Sequence, residues 1–414
     1  MSTLKVNKLR DTAGSADAIT LDPNGGAVIA GVTTVSTVKV GSGVTISSDG
    51  DVFTTGITTS STVIVGSGVT ISESGIEASG IGITCANING TQIGGKRNLI
   101  INGAMQIAQR STSAVTISGG KTWTDVDRFG QWTKSDEGSW KSGQQVADAP
   151  TDFQYSRKIT SLAASTVTSS SYHTVRYSVE GYDAKRLNCG NSSAKTVTLS
   201  FYVKCSLTGT FGLNFTNAAN NRSYPTTYTI SSADTWERKT ITLTMDTSGT
   251  WLTTTGVGLE INWQLAMGSG STSSTLNQWQ AGWEFPDTAA NTILTTNGAT
   301  WQLTGVQLEV GSQATAFEHL SYAEELSLCH RYCNALLQYG TGDTSSNRIY
   351  NHDYAGGNGF AMHSIPRMID EPTITYQIYG GSIHADYSSN DRLAMFDQSD
   401  NNFYIYDVLC EAEI

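Results

Sequence analysis

The sequence predicts a mainly β protein, with an N-terminal intertwined oligomeric β-repeat stalk, a central jelly-roll β-sandwich, one short helix and a small C-terminal β-domain. Three observations predict it: a tandem repeat near the N-terminus, period-two apolar alternation through the middle of the chain, and helical spacing confined to one segment. The expected organisation is an attachment segment at 1–30, the repeat stalk at 31–95, the sandwich at 96–320, the helix at 321–338 and the C-terminal β-domain at 339–414.

Residues 31–50, GVTTVSTVKVGSGVTISSDG, return at 56–75 as GITTSSTVIVGSGVTISESG, a period of 25 (56 − 31). Each copy offers two short alternating strands, Val38 and Val40 then Val44 and Ile46, or Val63 and Val65 then Val69 and Ile71. Gly-Ser-Gly joins them and supplies the φ > 0 of a tight hairpin. An isolated hairpin is marginal in water, and stacked repeats need about three units for a continuous core. Two copies therefore point to hydrophobic surface supplied by other chains: a parallel homo-oligomeric stalk, with a homotrimer as its expected form.

Composition agrees with a β-rich structural protein. There are 42 Gly and 6 Pro, and the charged fraction of 15% lies below the roughly 25% of average domains. The net charge of −11, with no long basic run among the 25 Lys and Arg, argues against nucleic acid and anionic membranes as partners. The start, MSTLKVNKLRD, lacks the apolar stretch of a secretory signal, and no window approaches the roughly 18 apolar residues of a membrane span. Folding in a cytosol is expected, with the six scattered cysteines reduced.

Aromatic residues divide the chain. Up to Gly95 Phe53 stands alone, whereas all nine Trp lie between Trp123 and Trp301, a stretch that must build its own core. GTQIGGK (90–96) reads as the hinge. Val197, Leu199, Phe201, Val203 and Cys205 alternate with Thr198, Ser200, Tyr202 and Lys204; Ile241, Leu243 and Met245 follow the same rule, as do Val257, Leu259, Ile261, Trp263 and Leu265. Period two gives each strand one buried face, with Trp263 pointing inward. In Thr300–Val310, Trp301 and Leu303 set one phase, and Val306, Leu308 and Val310 the other, so Gly305 at the switch predicts a β-bulge. Many strands with polar turns imply a two-sheet jelly roll.

The helical signal lies in SYAEELSLCHRYCNALLQ (321–338), which opens on a Ser cap with Glu324 three residues on, a capping box. Leu326, Cys329, Cys333, Leu336 and Leu337 fall on one stripe. Beyond it, strands are expected near Thr373–Tyr379 and Phe403–Leu409.

Three blocks, KRNLIINGAMQIAQR (96–110), VDRF (126–129) and LTGVQLEVGSQATAFEHLSYAEELSLCHRYC (303–333), resemble tail-fibre and spike-type virion structural proteins of tailed bacteriophages, marine ones especially. The N-terminal repeats are similar to the stalks that precede such globules, and RMIDEPTITY (367–376) extends the likeness. The resemblance implies a homotrimeric fibre or spike located in the virion and assembled in the host cytoplasm. Its N-terminus would join other tail or capsid proteins, and its carbohydrate-binding-module-like jelly roll would recognise host-surface glycan. A purely structural virion component and a polysaccharide depolymerase are the alternatives it leaves open. No anchoring domain of the kind found on long podoviral fibres is recognisable at the N-terminus.

From the residues themselves, sugar binding rests on aromatics, because a pyranose stacks its C–H face on Trp or Tyr while Asn, Asp and Gln collect hydroxyls. LNQWQAGWEFPDT (276–288) is the best cluster, with Trp279, Trp283, Asn277, Gln280 and Asp287 as candidate ligand-binding residues and core burial as the competing use of both indoles. Paired carboxylates for glycan cleavage are sparse: Asp125 with Asp127 and Asp136 with Glu137 are the candidates, and Asp127 with Arg128 reads as a structural ion pair. No catalysis is expected. Cys329, His330 and Cys333, with His319, hold soft ligands at helical spacing, but on the apolar stripe the cysteines read as small hydrophobes, so no metal or cofactor is expected.

Overall fold

The computed structural model describes residues 8–10, 17–21, 27–29, 62–65, 69–72, 75–78, 87–88, 91–92, 96–117, 119–134, 141–287, 292–336, 349–350, 359–379, 383–397 and 404–414. Two compact units are present, Met1–Thr84 and Cys85–Ile414. In the first, Thr62–Val65 pairs antiparallel with Val69–Ser72, which pairs in turn with Gly75–Ala78. The register sets Val63 against Ile71 and Val65 against Val69, the hairpin of the second repeat copy. The first copy, 31–50, lies outside the described residues. Lys8–Arg10, Asp17–Leu21 and Ala27–Ile29 form a second small antiparallel sheet.

The second unit is built on two antiparallel sheets. A seven-stranded sheet runs in the order Gly120–Thr122, Phe129–Thr133, Tyr172–Glu180, Val257–Met267, Gly209–Thr216, Arg222–Ile230, Gln280–Ala281. A six-stranded sheet runs Glu237–Thr244, Thr196–Cys205, Thr300–Val310, Ser156–Ser161, Lys141–Val146, Val115–Thr116. The chain repeatedly crosses from one sheet to the other, so the central neighbours of each sheet are distant in sequence, as in a jelly roll. The inward phases meet as alternation predicts. Val197, Leu199, Phe201 and Val203 from one sheet and Leu259, Ile261 and Trp263 from the other are all fully buried. Phe201 packs edge-on against Trp263 with centroids 5.8 Å apart.

Gly305 forms the bulge. Ser200 pairs with Gln307 and Tyr202 with Thr304, which leaves Gly305 and Val306 opposite Phe201 alone. Its φ of +60° is strained for an L side chain, and a Cβ there would lie 2.7 Å from the Phe153 ring.

The helix is shorter than its sequence pattern. It spans Tyr322–Cys329, with Ser321 as N-cap and the capping box to Glu324 formed. The expected continuation to 338 fails because long-range partners take the backbone: the Arg331 and Tyr332 carbonyls accept from the Ile369 and Ala412 N–H groups at 2.8 Å each. Cys333–Ala335 is a strand against Leu409–Glu411. Cys333 is thus buried from a strand, not from the helical stripe, and Leu337 lies outside the described residues. Two four-residue α-helical turns, Gly181–Ala184 and Thr292–Thr295, and two 3-10 turns, Lys185–Leu187 and Ser269–Ser271, complete the helical content among the described residues.

Beyond the helix, Thr373–Tyr379 pairs with Tyr404–Glu411. This C-terminal sheet shares a core with the start of the unit: Ile101 and Ile107 pack with Cys329, Tyr332, Ile369 and Val408. A buried charge knot ties the same segments together. Arg110 contacts Asp127 at 3.4 Å, Glu413 at 3.2 Å and Glu411 at 2.5 Å. Arg128, also buried, pairs with Glu413, donates to the Ser178 carbonyl at 2.6 Å and lies 3.5 Å from the Tyr332 ring centroid. Glu180 accepts from Arg331 at 2.6 and 2.8 Å and from the Tyr332 hydroxyl at 2.7 Å. Asn102 donates to the Ile107 and Asp127 carbonyls at 2.8 and 2.9 Å, and its backbone N–H donates to Glu325. The expected Asp127–Arg128 pair does not form. Successive side chains diverge, Arg128 sits at φ +71°, and each finds a different partner. The three blocks at 96–110, 126–129 and 303–333 therefore meet in space at this knot.

Candidate functional site

The face of the seven-stranded sheet turned away from its partner sheet carries an unusual side-chain set. Alternation within Tyr172–Glu180 sends His173, Val175, Tyr177 and Val179 to the core side and Tyr172, Thr174, Arg176 and Ser178 to the outer side. The neighbouring central strand sends Glu260, Asn262 and Gln264 the same way, and Asn214 follows by register. Arg176, Asn262 and Asn214 form one row across three adjacent strands, about 4.8 Å apart from strand to strand.

These polar groups are buried: Arg176, Glu260 and Gln264 are 1% exposed, and Asn262 and Asn214 are 0%. Half-buried rings stand around them. Trp132 lies 5.4 Å from Tyr172 and 4.8 Å from Trp283 between centroids, and Trp283 lies 4.8 Å from Phe285. Trp123 lies over Gly130, where a Cβ would sit 2.7 Å from the indole nitrogen, so glycine makes room for the ring. The Arg176 guanidinium is 5.9 Å from the Trp123 ring and 6.0 Å from the Trp132 ring. Lys121, exposed at the rim, holds its ammonium 4.6 Å above Trp132 and 3.7 Å from Glu260.

Electrostatically the floor is a short ionic ladder. Arg176 pairs with Glu260 and donates to the Ser178 hydroxyl at 2.9 Å. Burial pulls the Arg176 guanidinium down from its ordinary pKa, with Glu260 opposing; Lys121 is lowered by burial and by the Arg176 charge, again with Glu260 opposing. Several floor atoms have no protein partner among the described residues: Arg176 Nε and Nη1, Glu260 Oε2, Asn262 Nδ2, Asn214 Oδ1, Gln264 Oε1 and Trp283 Nε1. Buried polar atoms ordinarily find partners, so their accumulation on one face sets it apart.

The segment 276–288 divides between two places. Gln280–Ala281 adds the edge strand beside Arg222 and Ser223. The chain then crosses the outer face, where the Glu284 carbonyl accepts from Asn214 and the Pro286 carbonyl accepts from Gln264 at 3.3 Å. Trp283 thereby joins the ring cluster. Trp279 instead plugs the open edge of the sandwich: its indole N–H donates to the Thr244 carbonyl at 2.8 Å, and its ring packs against Tyr224 and Trp251 at 5.5 and 5.3 Å. Asn277, at φ +60°, accepts from the Thr226 hydroxyl at 2.7 Å, and Gln280 accepts from Ser273 at 3.3 Å. Asp287 is exposed. The structure thus brings Trp283 to the outer face, ties Trp279 and Asn277 to neighbouring strands, holds Gln280 within the loop and leaves Asp287 at the surface.

Sequence reasoning missed Lys121, Trp123, Trp132, Tyr172, Arg176, Glu260 and Asn262. The available signal was the polar phase of two central strands, where Arg176, Glu260, Asn262 and Gln264 fall on one face.

The other candidates resolve differently. Asp125 is buried 2.9 Å from Arg157, and Asp127 is engaged by Arg110 and Gln109; Asp136 and Glu137 lie outside the described residues. Burial pushes the Cys329 and Cys333 thiols well above their ordinary pKa, away from the thiolate that a metal requires. Among the described residues no cluster of three or more His, Cys, Asp or Glu is placed to hold a metal ion.

The fold and this face define a β-sandwich with an aromatic-rimmed polar face. No family model matches the chain, and no curated protein sequence matches it. Solved structures with some likeness include the enzymatically active domain of tailspike protein 4 of bacteriophage CBA120, at 13% identity over 51% of this chain and 21% of that one, TM-score 0.28. A putative sugar-binding protein from Bacteroides thetaiotaomicron is 12% identical over 52% of this chain and 100% of its own, TM-score 0.29. A family 11 carbohydrate-binding module of a Clostridium thermocellum cellulase is 14% identical over 50% and 98%, TM-score 0.24. Scores this low carry neither a fold nor a ligand over to this chain, whose architecture stands on its own strand pairing.

Proposed function

We propose that this chain is a non-catalytic glycan-binding protein of a tailed-bacteriophage virion, a homotrimeric fibre or spike whose repeat stalk presents the sandwich to host-surface polysaccharide. The observation that carries the reading is the outer face of the seven-stranded sheet, where Trp123, Trp132, Tyr172 and Trp283 stand half-buried around Lys121, Arg176 and Glu260. Indole faces suit the apolar side of a pyranose, and the exposed Lys121 at their rim suits its hydroxyls. The two-copy repeat supports an oligomeric stalk, since its hairpins lack core material of their own. The three sequence blocks support the virion assignment by resemblance. The candidate carboxylates Asp125 and Asp127, both committed to buried arginines, support binding without cleavage.

A second reading, a purely structural virion component, draws on one observation: the resemblance blocks meet in the buried knot and not at the aromatic face. Adsorption of the purified full chain to host cells, measured beside its sedimentation at micromolar concentration, separates the two. The proposal expects saturable adsorption by a trimer, competed by free host polysaccharide. A monomer, or a trimer that does not adsorb, overturns it.

A further inference from the structure

The six-stranded sheet carries a cleft of its own on the face away from the seven-stranded sheet. Tyr202 belongs to the outward phase of Thr196–Cys205 and sits in register between Arg238 and Thr304. Phe153 lies 5.5 Å from Tyr202, 5.0 Å from Phe317 and 5.3 Å from His319 between ring centroids. A cavity of about 640 Å³ opens among these rings, with Asp152, Ser200 and Arg238 as its polar lining and the Gly305 bulge at its base.

The walls are held in place. Thr315 donates its N–H and its hydroxyl to the buried Glu309 at 2.8 and 2.7 Å, the Glu318 N–H donates to Gln307 at 2.8 Å, and Glu318 accepts from the Asn98 N–H at 2.8 Å. A cavity fixed this way loses little freedom when it is filled.

Its charge is specific. Lys204 is paired with Asp148, and Lys239 with Glu237. Arg238 donates to the Thr315 carbonyl at 2.6 Å and approaches the Ser200 hydroxyl at 3.5 Å, with no carboxylate partner among the described residues. An unpaired guanidinium beside half-buried rings fits a ligand that combines an apolar ring face with an anionic fork.

We propose that this cleft is a second carbohydrate site, selective for a pyranoside that bears a carboxylate, a uronic acid unit of an acidic polysaccharide. The sugar's C–H face packs on Tyr202, Phe153 and Phe317, Arg238 takes the carboxylate, and Asp152 and Ser200 serve the hydroxyls. The site lies on the opposite sheet from the aromatic face above and does not depend on it. Two sites on one chain raise the avidity for a long polymer well above that of either alone.

The test is calorimetric titration of the full chain with a glucuronosyl disaccharide, with the matching glucosyl disaccharide as neutral control. Saturable uronate binding is expected, about tenfold or more tighter than the neutral sugar, weakened by added salt, and about tenfold weaker in Arg238→Gln. A Trp132→Ala/Trp283→Ala double variant is expected to bind uronate as the wild type does, which separates this cleft from the other face. Phe317→Ala is expected to weaken both sugars alike while the thermal transition still shows a folded chain. Absence of saturable binding, equal affinity for the two sugars, or uronate affinity that is unchanged in Arg238→Gln or lost in the tryptophan double variant overturns the proposal.

Discussion

Two regions of this molecule bury charge, and they do so differently. In the knot, Arg110, Asp127, Arg128, Glu180 and Glu413 form ion pairs and hydrogen bonds that join segments up to 303 residues apart. On the outer face, Arg176, Glu260, Asn262, Asn214 and Gln264 are as buried, yet each leaves at least one polar atom without a protein partner. Burial alone does not distinguish a structural polar group from a functional one. The degree of satisfaction differs: among the five knot residues only Arg128, through its Nε, has a buried atom without a protein partner, whereas all five outer-face residues do, which leaves hydrogen-bonding capacity there that the protein does not use.

The largest expected effect lies in the knot. Arg128→Ala leaves Glu413 with Arg110 as its remaining arginine, removes the donor to the Ser178 carbonyl and vacates the space over Tyr332, and should destabilise the chain by about 3–5 kcal/mol in urea denaturation. A loss below about 1 kcal/mol would place the knot among dispensable ion pairs. Asn102→Leu comes next, at about 2–4 kcal/mol, because the Ile107 and Asp127 carbonyls lose their donor and the residue sits at φ +61°.

A pH effect follows from Asp127. Burial, opposed by Arg110 and by the Gln109 hydrogen bonds, raises its carboxyl from 3.8 to about 6. The folded state therefore holds this proton more tightly than the unfolded chain does. Its contribution to stability is fully present below pH 3.8, falls as pH rises and is gone above about 6. The size of that change is of order 3 kcal/mol at most. Asp127→Asn should flatten this part of the stability curve, and an unchanged slope between pH 4 and 6 would remove Asp127 as its cause. The smallest effect belongs to the outer face. Asn262→Leu removes a buried group with an unpartnered amide nitrogen and should shift stability by less than about 1 kcal/mol, in contrast with the same exchange at Asn102.

Much of the fold was legible because it is written locally. Alternation at Val197–Cys205 and Val257–Leu265 set the strands, Gly305 marked the bulge, and Ser321 with Glu324 marked the helix start. The helix end was not legible, since Arg331 and Tyr332 are claimed by partners 38 and 80 residues away, at Ile369 and Ala412. The knot was hidden for the same reason: nothing near Arg128 in sequence announces Glu413. The outer face was obscured by the alternation rule itself. That rule assigns Arg176, Glu260 and Asn262 to solvent, and only the three-dimensional cover of Trp123, Trp132 and Trp283 makes them a buried floor. Within LNQWQAGWEF, spacing gave Trp279 and Trp283 equal standing, and the crossing of the chain from sheet edge to sheet face separated them.

That separation supplies the most direct test, because Trp279 and Trp283 are both half-buried indoles in one loop. Binding of host-surface polysaccharide should be measured for the wild type, Trp279→Ala and the Trp132→Ala/Trp283→Ala pair, each checked for a cooperative thermal transition. Retained affinity in Trp279→Ala and a loss of about tenfold or more in the pair are expected. Equal affinity in all three folded proteins would contradict the assignment of the outer face as the glycan site.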